Sequence, residues 1–525
     1  MNRGAGILMH ISSLPGKFGI GTFGKEAYEF ADFVKESGLK YWQMLPMGHT
    51  SYGDSPYQCF SAFAGNPYFI DFDILRDQGL LVEEDYVNEQ FGDDEEKVDY
   101  ALIFTTKYNV LKKAYDRYKK LNDKKLIEKV EKFKKENSFW LEDYSLYMAV
   151  KNQFDLQSWN NWDDDIKRRK PAAIKKYKTE LKDEIEYWSF LQYLFFEQWH
   201  KLKAYVNSLG IEIIGDIPIY VSADSVDTWS HPEDFKIDMK TFEPIVVAGC
   251  PPDAFSETGQ LWGNTIYDWN KMKKDGYKWW ISRIRESLKM YDVLRIDHFR
   301  GFEAYWEIPF GDDTAINGKW VKGPAMNLFK AIKKELGDVN IIAEDLGFLT
   351  DDVVKFLKET GYPGMKVLQF AFALGDGKSG DLPHNYINNS IAYTGTHDND
   401  TFRGWLETTG SKTETENAKF YLALNDEEGY NWGFIRGVWN SVSNVAIAPM
   451  QDFLDLGNDS RMNFPSTLSG NWQWRAKEGS YNSKLAEKIY KLTLMAGRTE
   501  IEVDEDEEEI EETKKTTKKA TKSTK

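Results

Sequence analysis

Cysteine is almost missing from this chain, which carries two, Cys59 and Cys250, in 525 residues. Two thiols build no disulfide framework, and neither stands in a CxxC or zinc-like spacing. Long apolar runs are missing too; none approaches the roughly 20 residues of a membrane span. The N-terminal stretch MNRGAGILMHISSLPG has one Arg and a short apolar run followed by Pro and Gly, a poor match to a signal peptide. A reducing cytoplasm is the expected compartment, with no membrane partner. Positive charge is in deficit: 67 basic residues face 84 acidic ones, for a net charge of −17. Phosphate backbones are gripped by basic patches, so nucleic acid is not an expected partner. No cluster of recognisable metal-ligand spacing occurs, so no metal or other cofactor is expected.

What the chain does have is aromatic rings and carboxylates in particular places. It holds 18 Trp, 28 Tyr and 32 Phe. Sugar faces pack well on such rings, but a large aromatic core uses them equally, and composition leaves both readings open. The carboxylates say more. Four apolar runs each end in an acid: IEIIGD at Asp216, DVLRID at Asp297, NIIAED at Glu344 and Asp345, and SIAYTGTHD at Asp398. A short apolar run bounded by turn residues reads as a strand buried on both faces. An acid at its C-terminal end is badly placed for a core and well placed for a site.

Eight strand-like segments can be counted, at 6–14, 41–47, 211–221, 292–297, 340–345, 364–372, 390–397 and 444–450. Helical patterns separate most of them. One at 26–39 puts Ala27, Phe30, Ala31 and Val34 on one face, and one at 188–209 carries Leu191, Leu194, Phe195, Trp199, Leu202 and Val206. Others cover 278–291, 324–337 and 351–361, the last with acids in its first turn and a closing Gly. Strand and helix alternating eight times imply a closed (β/α)8 barrel, whose strand tips converge on one mouth. The expected organisation is a single catalytic barrel domain over 1–499. It carries a helical insertion at about 49–187 and cleft-shaping loops at 222–277, and a charged tail at 500–525 is expected to be disordered.

Seven blocks, in order, resemble the 4-alpha-glucanotransferases, also known as amylomaltases or disproportionating enzymes, which are glycoside hydrolase family 77 of the α-amylase clan. They are SPYQCFSAFAGNPYFID (55–71), GDIPIYVSADSVDTW (215–229), PPDAFSETGQLWGNTIYDW (251–269), LRIDHFRGFEAYWEIP (294–309), AEDLGFLTDDV (343–353), GYPGMKVLQFAF (361–372) and YTGTHDNDT (393–401). The resemblance runs from about residue 4 to 475 and leaves out the tail. It implies Asp297 as nucleophile, Glu344 as general acid/base, and Asp398 as the acid that binds sugar hydroxyls and stabilises the transition state. It implies Arg295 beside the nucleophile, His298 and His397 on sugar hydroxyls, and Tyr57 and Trp262 stacking on rings. Asp216 and Asn463 would lie near the site, Asp216 with the alternative role of orienting Arg295. One loop departs from the pattern: the family usually reads RMNTPG where this chain has RMNFPS, with Phe464 and Ser466.

The implied activity is transfer of α-1,4-glucan segments between maltooligosaccharides, amylose or glycogen-derived glucans, with glucose as a further acceptor. Retention by double displacement needs the two carboxyl groups about 5–5.5 Å apart. Arg295, two residues from Asp297 and so on the same strand face, is expected to lower the nucleophile's pKa. The segment 248–263, with Pro251, Pro252, Phe255, Leu261 and Trp262, is expected to cover the cleft and favour a sugar over water. Two other readings stand beside this one: an α-amylase-type hydrolase, and a glucan-binding protein without catalysis. Nothing in the sequence sets the oligomeric state.

Overall fold

The computed structural model describes residues 1–51, 53–252, 256–347, 349–467 and 469–500. The expected tail beyond residue 500 and Phe255 of the expected cleft cover therefore lie outside the described residues. Within them, twelve strands occur in chain order. They are β1 (Gly4–Leu8), β2 (Tyr41–Gln43), β3 (Glu212–Pro218), β4 (Val246–Cys250), β5 (Gln260–Thr265) and β6 (Val293–Asp297), then β7 (Ala304–Pro309), β8 (Lys319–Lys322), β9 (Ile341–Ala343), β10 (Gly364–Val367), β11 (Ser390–Tyr393) and β12 (Val445–Pro449).

Eight of these form one parallel sheet in the order β10-β11-β12-β1-β2-β3-β6-β9. Every segment read as a barrel strand from the sequence contributes one. The outer strands meet: Ala343 N donates to Pro363 O at 2.9 Å, and the Asp345 carboxylate accepts from Met365 N at 2.7 Å. The sheet thereby curls into the (β/α)8 barrel. Its strands are apolar throughout because helices cover one face and the barrel interior the other. β1 and β12 are buried at every residue. In β3, the main chain at Gly215 runs so close to the Tyr291 ring that a Cβ would lie 2.1 Å from it. Only glycine fits there, directly before Asp216.

The helices follow the periodicities. The helix Lys182–Ser208 buries Leu191, Leu194, Phe195, Trp199, Leu202 and Val206 and extends six residues further toward its N-terminus than the pattern suggests. Truncating such a buried Trp costs about 3–5 kcal/mol. The helix Asp351–Thr360 is capped by the Thr350 side chain, which accepts from Val353 N, and ends at Gly361 with φ +74°. Helices Tyr100–Leu121, Lys124–Glu136 and Ser138–Gln153 lie in the first insertion, with Val130 buried.

The second insertion differs from the expectation of loops. β4 and β5 pair antiparallel, and β7 and β8 extend them into a sheet of order β5-β4-β7-β8. The sequence hid this sheet because β5 and β8 are half-exposed and its strands are joined by Pro-rich and Gly-rich segments. No described helix is long and apolar enough to cross a membrane.

Candidate active site

Parallel register places the acids. Ile296 of β6 lies opposite Ala343 of β9, so the next residues, Asp297 and Glu344, emerge side by side at the barrel mouth. Neighbouring strands run about 4.8 Å apart. On the other flank of β6, Asp216 of β3 lies opposite Arg295. Arg295 Nη1 donates to Asp216 Oδ2 at 2.5 Å, and its Nη2 stands 3.2 Å from Asp297 Oδ1. Asp216 is fully buried and Arg295 nearly so. In this conformation Asp216 does not reach the cleft. It anchors Arg295, the role left open for it by the sequence, and it accepts from the Tyr57 hydroxyl at 2.8 Å.

Glu344 is held through its main-chain neighbours. Its Oε2 accepts from His298 N at 2.7 Å and its Oε1 from Leu346 N at 2.6 Å. The first bond depends on His298 adopting a left-handed conformation, φ +51°, which turns its N–H back toward β9. Such strain in a non-glycine residue costs about 1–3 kcal/mol and collects at functional sites. Asp345, next in sequence, points the other way and serves β10 instead of the cleft.

Asp398 lies beyond β11 and has different company. Its Oδ2 lies 3.3 Å from His397 Nε2, and its Oδ1 accepts from Asn463 Nδ2 at 2.6 Å. The His397 ring stacks on Tyr57, centroids 5.1 Å apart and 19° from parallel, with its Nδ1 3.4 Å from the Tyr57 hydroxyl. Tyr57 arrives on an irregular hairpin closed by the bridges Gly48–Gly65 and Thr50–Cys59. Trp262 of β5 meets the His298 ring edge-on at 4.8 Å. The hairpin β4–β5 thus reaches the site, with Trp262 against His298 and Leu261 exposed.

The ten residues singled out in the sequence therefore fall into one connected cluster. Two further participants were missed. Arg461 donates to the Asp398 main-chain oxygen at 2.6 Å, and Trp472 stands 5.7 Å from Tyr57 and 5.8 Å from His397 by ring centroids. Arg461 opens the RMNFPS stretch and Trp472 lies in the nearby segment NWQWR (471–475), and a cation two residues from Asn463 was the available signal.

The charges separate by environment. Burial, reinforced by the charge of Asp297, pushes Glu344 up to about 8. Burial also pushes Asp297 up to about 6, although Arg295 pulls it down. This corrects the expectation that the guanidinium would leave Asp297 below its ordinary value: desolvation outweighs it. Burial raises Asp398 as well, but His397, Asn463 and Arg295 together hold it far below the usual carboxylate range. Burial and then Arg300 push His298 down to about 3, so its ring is neutral. Among the described residues its Nε2 is buried without a hydrogen-bond partner. Near neutral pH the pair β6/β9 thus holds one negative charge and one proton, the arrangement that acid-assisted displacement at an acetal carbon requires. Among the described residues no group of three or more His, Cys, Asp or Glu is placed to hold a metal ion.

A family model described as 4-alpha-glucanotransferase, glycoside hydrolase family 77, matches residues 9–481. A 4-alpha-glucanotransferase of Clostridium butyricum is 60% identical over 492 residues, covering 94% of this chain and 100% of that protein. One from Streptococcus pneumoniae serotype 4 is 52% identical over 497 residues, covering 94% and 97%. Among solved structures, the amylomaltase of Streptococcus agalactiae in complex with acarbose superposes with a TM-score of 0.92 at 45% identity, covering 95% of this chain and 100% of that one.

Proposed function

The chain belongs to the 4-alpha-glucanotransferases of glycoside hydrolase family 77, and from that premise we propose that it moves α-1,4-glucan segments from one maltooligosaccharide to the 4-hydroxyl of another, or of glucose, with retention of configuration. Asp297 attacks the anomeric carbon while Glu344 delivers its proton to the departing glycosidic oxygen. A β-linked glucosyl ester on Asp297 results. Glu344, now a carboxylate, takes the proton from the incoming 4-hydroxyl as that oxygen displaces Asp297, and the α-linkage returns.

The observation that carries this reading is the side-by-side emergence of Asp297 and Glu344 from neighbouring strands, with the proton favoured on Glu344. The same pair accounts for the acid's change of role. The negative charge on Asp297 keeps Glu344 protonated; esterification removes that charge and lowers the pKa of Glu344 in time for the second step. Asp398, kept ionised by His397 and Asn463, accepts hydroxyl hydrogen bonds from the sugar whose ring gains positive character in the transition state. Tyr57 and Trp262 bound the same ring, and His298 offers it a neutral imidazole.

Residues 1–499 act as one catalytic unit in this reading. The hairpin β4–β5 narrows the cleft beside His298 and disfavours water as acceptor. Long glucans such as amylose or glycogen-derived chains fit as donors, and the cytoplasm as the place of work. Incubation with pure maltotriose tests the reading. Transfer releases glucose and builds a ladder of longer oligomers without raising the number of reducing ends; a steady rise in reducing ends would make the protein a hydrolase.

A further inference from the structure

The segment that supplies Asn463 is held in an unusual way. The Arg461 guanidinium lies over the Phe464 ring, 4.5 Å from its centroid. From there it donates through Nη2 to the Asp398 main-chain oxygen at 2.6 Å and through Nε to Asn463 O at 2.8 Å. One planar cation therefore ties together the backbone of Asp398 and the backbone of the residue whose amide grips the Asp398 carboxylate. Beyond it the chain turns back: Thr467 N donates to Phe464 O at 3.2 Å across Pro465 and Ser466, and Phe464 N donates to Asn471 Oδ1 at 2.8 Å. The returning segment delivers Trp472, whose N–H donates to Met462 O at 2.7 Å, to the Tyr57 and His397 rings.

Ser466 sits at φ +67°, the third position of a turn with Pro at the second. That position favours glycine. The turn is thus locally unfavourable, and the Arg461–Phe464 contact together with the Asn471 bond opposes its loosening. Phe464 is about one-third exposed, and its route to the chemistry runs through Arg461.

We propose that Arg461 is a positioning residue that fixes Asp398 and Asn463 relative to each other, and that the Phe464 face, by holding the guanidinium flat, sets how firmly it does so. This rests on the reading of Asp398 as the residue that stabilises the transition state. An arginine clamp of this kind acts on kcat and not on KM, because Asp398 is needed most where positive charge develops on the sugar.

The test is a double-mutant cycle on maltotriose disproportionation. Phe464→Leu keeps an apolar side chain but removes the π face; kcat is expected to fall about three- to fivefold with KM within about twofold. Phe464→Tyr, which restores the face, returns kcat toward the parent value. Arg461→Gln loses both charged hydrogen bonds and is expected to lower kcat about ten- to a hundredfold. In an Arg461→Gln background the effect of Phe464→Leu disappears, because the guanidinium that the ring holds is gone. An equal loss in both backgrounds, an effect on KM alone, or wild-type kcat in Phe464→Leu would each overturn the proposal. Asp398→Asn, run alongside, separates the two levels: if it keeps the parent kcat, the role of Asp398 fails first; if its kcat falls about 10²–10³-fold while Phe464→Leu is unimpaired, only the clamp fails.

Discussion

At the tips of β6 and β9, Asp297 and Glu344 are held by the barrel itself: adjacent register positions, main-chain N–H donors, and an arginine anchored by a buried acid. Across the cleft, Asp398 is held by the segments beyond β11 and β12: the imidazole of His397, the amide of Asn463 and the backbone clamp of Arg461. Both sides present carboxylates to one cleft, yet burial wins on the first and raises its acids, while opposite charge and hydrogen bonding win on the second and lower its acid. Environment assigns the roles: a proton is kept where burial dominates and the neighbour is anionic, and a fixed negative charge is kept where His397, the Asn463 amide and Arg295 converge.

Experiments on each side would break or sharpen that contrast. The largest effect belongs to the β6/β9 side. Asp297→Asn is expected to reduce kcat about 10⁴-fold or more, since no ester can form, while maltooligosaccharide binding, followed by calorimetry, survives. Removing its charge also lets Glu344 titrate below its present value of about 8, visible with carbon-labelled glutamate by NMR. Asp398→Asn is expected to cost less, about 10²–10³-fold in kcat, because electrostatic stabilisation is weakened without loss of the covalent route.

Thermal stability should then move in opposite directions on the two sides. Glu344 has a folded pKa above its unfolded one, so between about pH 4.5 and 8 the folded state keeps a proton that the unfolded chain has released, and stability falls as pH rises through that window. Glu344→Gln escapes this loss, so its stability relative to the parent rises with pH across that window, offset by a constant cost because the amide nitrogen meets one of the two main-chain N–H donors. Asp398 has a folded pKa below its unfolded one, so its contribution is present above the unfolded value of about 3.8 and vanishes as pH falls. Asp398→Asn is expected to lose stability at pH 8, by about 1 kcal/mol once screening at its 46% exposed side chain is allowed for. Melting temperatures that, relative to the parent, move the same way with rising pH in both variants would undo the contrast. The smallest effect concerns the loop: Ser466→Gly relieves a positive φ and is expected to add about 0.5–1 kcal/mol in denaturant unfolding, with the β6/β9 pair untouched.

The pH–rate profile joins the two sides. Turnover per encounter rises as Asp297 loses its proton near about 6 and falls as Glu344 loses its own near about 8, giving a bell whose alkaline limb vanishes in any residual activity of Glu344→Gln.

Much of this was legible in the sequence, and the unread parts have physical reasons. The barrel strands announced themselves because strands buried on both faces are unbroken apolar runs, and acids at their ends stand out against them. The helix Lys182–Ser208 was legible because its buried face repeats at helical spacing. The sheet β5-β4-β7-β8 was not, because half-exposed antiparallel strands such as Lys319–Lys322 lack any such run. The balance of charges on Asp297 was misjudged because spacing shows Arg295 beside it but cannot show how far both are removed from water. Asp216 appeared as a strand-end acid like the others, and only its complete burial distinguishes an anchor from a group facing the cleft. Arg461 escaped notice because its partner is a main-chain oxygen 63 residues away, and main-chain partners leave no mark on the side-chain pattern.

In the proposed reaction Asp297 forms a bond to the sugar while Glu344 carries the proton. Mass spectrometry of the peptide containing Asp297, after trapping with a fluorinated α-glucosyl fluoride that forms the ester faster than it releases it, tests this directly. One glucosyl adduct on Asp297, discharged by added maltose, is the expected result. An adduct on Glu344 or Asp398, or turnover of the donor to a product of inverted configuration with no adduct, would contradict it.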